Sequence, residues 1–106
     1  MARKTTKQRL KEAGFEATSV QDFLDLTDEE MSYIEMKVGL ASALKRHRTT
    51  KLNISQHQLA ELIGSSQSRV AKMEAGDPSV TLDLLVRSML STGLNRTEIA
   101  RALGRT

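Results

Sequence analysis

The sequence contains no cysteine. Disulfides, thiol nucleophiles and cysteine-ligated zinc are thereby excluded. It has no tryptophan, one tyrosine and two phenylalanines, so a core must rest on Leu, Ile, Val, Met and Ala. That composition suits packed helices better than a sheet, which favours β-branched and aromatic residues. No apolar run approaches the roughly 18 residues of a membrane span. The N-terminus, MARKTTKQRLKEAGF, is basic and lacks the apolar segment of a secretory signal. A cytoplasmic chain without membrane contact is expected, forming one domain with a modest core across 106 residues.

Chemistry-bearing clusters are also missing. The two histidines, His47 and His57, stand in a basic run and on an exposed helical face, with no carboxylates at ligand spacing. There is no Ser, His and Asp constellation and no glycine-rich phosphate loop. Neither a metal, a cofactor nor catalysis is expected.

What is present is an uneven charge. Residues 1–14 carry five basic groups and one acidic, residues 15–36 seven acidic and none basic, and residues 37–106 eleven basic and five acidic. The third block, net +6, fits a nucleic-acid partner, although solvated helix faces account for charge alone equally well.

Periodicity predicts an all-α chain of about five helices, with an N-terminal extension at 1–27 and a helical domain at 28–106. Residues 1–14 read as an arm or a frayed helix, followed by a short apolar anchor of Val20, Phe23, Leu24 and Leu26. Thr27 and Glu30 form a capping box that opens a long helix running to about Arg48. Met31, Ile34, Val38, Ala41 and Leu44 form its core stripe, and Tyr33, Met36 and Leu40 a second apolar line to be covered by the N-terminal segment or, more in keeping with a small domain, by a dimer partner. A loop is expected at TTKLN. Ser55 is a plausible cap for a helix over 56–63, with Leu59, Ala60, Leu62 and Ile63 inward. Gly64 sits where left-handed backbone must end that helix. Ser66 can cap a second helix over 67–74 that buries Val70 and Met73. Gly76-Asp-Pro-Ser79 breaks the pattern. Helices over about 82–91, ended by Gly93, and over RTEIARAL, opened by the Asn95–Glu98 box, complete the set.

The stretch SQHQLAELIGSSQSRVAKMEAG, Ser55 to Gly76, joins two helices too short to be stable alone. A helix meant for the major groove must protrude and be braced by a companion. Ala60 supplies a small residue for the crossing, Gly64 the turn, and Leu59, Ile63, Val70 and Met73 the attachment. Gln67, Ser68, Arg69 and Lys72 are left outward, polar and able to bond.

These residues resemble the helix-turn-helix of the Cro/C1-type (XRE), lambda-repressor-like DNA-binding proteins. The shared pattern is Ser55-Gln56, Leu59-Ala60, Gly64, Ser66-Gln67, and Glu74 with Gly76, departing at Ser65, where the family usually has a small aliphatic residue. The resemblance spans about Val38 to Leu90 and implies a sequence-specific regulator of double-stranded DNA, commonly a homodimer. It places Gln56 on a phosphate and Gln67 and Ser68 at base edges, with Ser66 capping. Arg69 and Lys72 would reach a base or the backbone. Lys45, Arg46, Arg48 and Lys51 would add phosphate contacts, and Glu74 would bond within the fold. Together, the acidic leader GFEATSVQDFLDLTDEE and SSQSRVAKMEAGDPSV resemble HigA-like antitoxins, which implies autorepression and a basic ribonuclease toxin as partner. A free-standing repressor and a helical protein-interaction module are the alternatives.

Overall fold

The computed structural model describes residues 22–104. The arm at 1–14 and Val20 lie outside the described residues. Five α-helices lie wholly within them, and no strand does: α1 (Asp28–Arg46), α2 (Gln56–Ile63), α3 (Gln67–Glu74), α4 (Leu82–Ser91) and α5 (Arg96–Leu103). The chain divides inside α1, one unit ending at Glu35 and the other, with all later helices, starting at Met36.

Each helix start has a side-chain cap that takes up backbone N–H groups which would otherwise lack partners. Thr27 and Glu30 bond each other's backbone N–H groups at 3.1 Å. Ser55 and Gln58 do the same at α2, and Asn95 and Glu98 at α5. Ser66 and Thr81 each accept from the N–H three residues on. Eight-residue helices are marginal without packing; these are held by a core of Leu40, Leu44, Leu59, Val70, Met73, Leu85, Met89, Ile99 and smaller neighbours.

Helix α1 departs from its expected face. Leu40, placed by periodicity on a spare face, is fully buried, whereas Ile34 and Val38 are exposed. The buried line within the second unit is Lys37, Leu40, Ala41, Leu44 and Arg48. Two charged residues occupy the ends of this stripe, so a pattern built from apolar residues alone is rotated away from the true one. Tyr33 remains exposed. Ile99 of α5 is in the core.

Three further expectations change. Phe23 and Leu24 are exposed, at 87% and 55%, and do not form the anchor. Leu62 is 56% exposed: at roughly 100° per residue, Gln56, Leu59, Ala60 and Ile63 share one arc of α2 and Leu62 falls beyond it. The segment expected to be a loop is helical. After Arg46 the helix widens into a π turn, His47–Leu52, closed by Asn53 in left-handed backbone at φ 51°, a conformation asparagine tolerates better than most residues. The N–H groups of Asn53 and Ile54 both reach the Arg48 carbonyl. The Thr49 hydroxyl donates to the Lys45 carbonyl and the Thr50 hydroxyl to that of Arg46. Two β-branched threonines, poor α-formers whose hydroxyls can serve displaced carbonyls, suit such a widened turn.

Candidate nucleic-acid interface

Helices α2 and α3 meet at a sharp corner. Gly64 adopts φ 69°, and the Ser65 N–H reaches back to the Ala60 carbonyl at 2.8 Å while the Gly64 N–H reaches Glu61. This six-to-one and five-to-two pairing is a Schellman closure. Ser65, the departure from the resemblance, is half-buried and takes part in it through its backbone. Side-chain identity there leaves the hydrogen bonds intact.

Helix α3 is fastened on one side and open on the other. Val70 and Met73 are fully buried, and Met73 Sδ accepts from the buried Ser88 hydroxyl of α4 at 3.5 Å. Ser66, Gln67, Ser68, Arg69 and Lys72 are exposed. All but Gln67 line one open depression, together with Ser79, Val80 and Leu84. Gln67 stands at the first position of α3, in solvent.

The far end of α3 is held by a charged network. Glu74 Oε2 accepts from Arg48 Nε at 2.6 Å, and Oε1 from Arg48 Nη2 at 3.0 Å and from Gln56 Nε2 at 3.1 Å. Arg48 Nη1 also donates to the Ile54 carbonyl at 2.8 Å. Their side chains are only 11% and 3% exposed. Hydrogen bonding to Glu74 raises the Arg48 pKa beyond its already high value, against burial that lowers it, and the guanidinium stays charged. One carboxylate therefore joins the π turn after α1, the start of α2 and the end of α3. Glu74 bonds within the fold, as expected. Arg48, expected among the phosphate contacts, has its guanidinium spent inside the fold.

The remaining basic residues separate. Lys45 and Arg46 are exposed. Arg46 shares a second depression with His47, Lys51 and, from α5, Glu98 and Arg101. His47 Nε2 lies 2.8 Å from the Thr92 carbonyl, tying the π turn to the end of α4. His57, exposed, pairs with Glu61 one turn on. Thus Ser66, Ser68, Arg69 and Lys72 are brought together, Gln56 is bonded to Glu74, and Arg46 faces a different hollow.

Sequence reading missed Ser79 beside the α3 cations. Its local signal was Asp77-Pro-Ser79, a turn in which Asp77 Oδ1 accepts from both the N–H and the hydroxyl of Ser79. Among the described residues no group of His, Cys, Asp and Glu is placed to hold a metal, and no helix is long and apolar enough to cross a membrane.

Residues 44–87 match the model of a helix-turn-helix family. The matched segment begins at Leu44, contains α2, the corner and α3, and ends in α4. No curated protein and no solved structure matches the chain.

Proposed function

We propose that the chain is a sequence-specific DNA-binding transcriptional repressor that reads the major groove with α3. The observation that carries this reading is the division of α3 into a fully buried apolar side and an exposed side bearing Ser66, Gln67, Ser68, Arg69 and Lys72. Gln67 and Ser68, in its first turn, face base edges; a glutamine amide serves adenine with both ends. Arg69 and Lys72 reach a base or a phosphate. Gln56 still has its backbone N–H and a second amide hydrogen for a phosphate at the start of α2, and its bond to Glu74 fixes where that amide sits. Lys45 and Arg46 add phosphate contacts that position without specifying. A helix of eight residues reads few base pairs, so the active form is a homodimer on two half-sites.

The acidic segment favours a second role beside the first. Phe23 and Leu24 are exposed among Asp22, Asp25, Asp28, Glu29 and Glu30, an apolar pair in a negative surround. A basic protein with an apolar hollow fits it, since complementary charge speeds encounter and selects partners. That is the character of a ribonuclease toxin, and the chain would then be its antitoxin and repress its own operon.

The test is fluorescence anisotropy on DNA from upstream of the gene, with a scrambled duplex as competitor, at several salt concentrations. A preference on the order of 10³ or more is expected of a specific binder. Equal affinity for both duplexes, there and on sites selected from a random pool, would sink the specific reading.

A further inference from the structure

Lys37 is 6% exposed, in the stripe of α1 that otherwise carries Leu40, Ala41 and Leu44. A buried ammonium is costly unless its donors are used. Its Nζ donates to the carbonyls of Asp77 at 3.3 Å and Pro78 at 3.4 Å. Both belong to the loop that leaves α3. That loop begins with a second Schellman closure, Asp77 N–H to the Lys72 carbonyl and Gly76 N–H to Met73, with Gly76 at φ 68°. A Cβ on Gly76 would lie 3.6 Å from Val38 Cγ2, so the loop also runs close beside the residue next to Lys37. Val80 N–H returns to the Asp77 carbonyl at 3.0 Å, and Ser79 is held on the Asp77 carboxylate. Thus Ser79, which lines the same depression as Ser68, Arg69 and Lys72, takes its position from a turn whose carbonyls end on Lys37.

We propose that Lys37 is a positioning residue for DNA recognition: its buried ammonium fixes the loop after α3, and with it Ser79, which lines the same depression as Arg69 and Lys72. This rests on the DNA-binding reading. Lys37 touches no nucleic acid itself; its ammonium is occupied inside the fold.

The experiment compares wild type, Lys37→Met and Lys37→Arg, at a temperature where circular dichroism shows all three folded. Amide exchange is measured at Asp77, Ser79 and Val80, against α2 amides as the reference. Anisotropy is measured on the preferred duplex over a range of salt. In Lys37→Met the loop amides should exchange roughly tenfold faster or more, the loss expected of one charge-assisted hydrogen bond, with α2 unchanged. Affinity should fall by a similar factor with the salt slope preserved, and Lys37→Arg should recover part of both. A salt slope lower by about one unit would instead make Lys37 a phosphate contact and overturn the proposal. Unchanged loop exchange, or faster exchange with unchanged affinity, would also overturn it. A wild type that binds no DNA would defeat the reading beneath it, while exchange would still report separately whether Lys37 holds the loop.

Discussion

Arg48 and Glu74, 26 residues apart, form a forked ion pair between the π turn and the last residue of α3. The widened turn matters to this pair. It carries Arg48 inward, where its carbonyl takes the N–H of Ile54 and its guanidinium the carbonyl of the same residue. Substituting Arg48 by Met should destabilise the fold by about 3–5 kcal/mol, because Glu74 would remain buried with Gln56 as its one remaining partner in the network. Removing both charges, as Arg48→Met with Glu74→Leu, should cost less than the single change. Urea midpoints measure both, and a single-variant loss below about 1 kcal/mol would contradict a structural role of this weight.

The corner at Gly64 should be limited by backbone conformation and not by space. A Cβ there would meet nothing within 4 Å. Gly64→Ala should therefore cost about 1–2 kcal/mol, the strain of a left-handed non-glycine residue, and leave a folded protein. Loss of the folded state altogether, seen by circular dichroism, would mean that the corner is tighter than its geometry indicates.

Acid should loosen the loop after α3. The Ser79 hydroxyl and N–H hold the Asp77 carboxyl below its ordinary value of 3.8, with smaller help from the charges of Lys72 and Lys37. A carboxyl lowered in the folded state stabilises above its unfolded pKa, and that contribution is lost as pH falls through the lower folded value. Ser79→Ala should bring the Asp77 titration back toward 3.8. Following the carboxyl carbon by NMR against pH decides it, and an identical titration in the variant would remove the Ser79 hydroxyl as the cause.

Gln67→Ala should cost about 1–3 kcal/mol on the preferred duplex and relax preference at one base. Equal losses on preferred and scrambled DNA, measured by competition, would defeat its assignment to base readout.

Lys45 and Arg46 should behave in the opposite way. Neutralising either, as Lys45→Gln or Arg46→Gln, should weaken all duplexes alike and flatten the salt slope by about one unit if that residue meets phosphate. The position of Arg46 in a hollow with Lys51 and Arg101 makes it the more informative of the two. An unchanged slope would place that hollow away from the duplex.

The local signals were sufficient for the helices. Caps at Thr27, Ser55, Ser66 and Asn95 mark the starts of α1, α2, α3 and α5, and glycines at 64 and 93 the ends of α2 and α4, as the structure has them, because each is a hydrogen-bonding or backbone constraint within a few residues. The outward face of α3 was legible for the same reason: eight residues at a fixed period divide into Val70 and Met73 on one side and the polar set on the other. The end of α1 was not. An extra residue's worth of helix, absorbed as a π turn through Thr49 and Thr50, looks in sequence like a loop.

By itself, then, the sequence determined the helices other than the π turn, the corner at Gly64 and the exposed polar row from Ser66 to Lys72. Tertiary structure decided which charges are spent inside. Arg48 went to Glu74 and Gln56, and Lys37 to two loop carbonyls 40 and 41 residues away. A cation's residue type says only that it needs partners or water, and which of these it finds depends on segments that folding alone brings beside it.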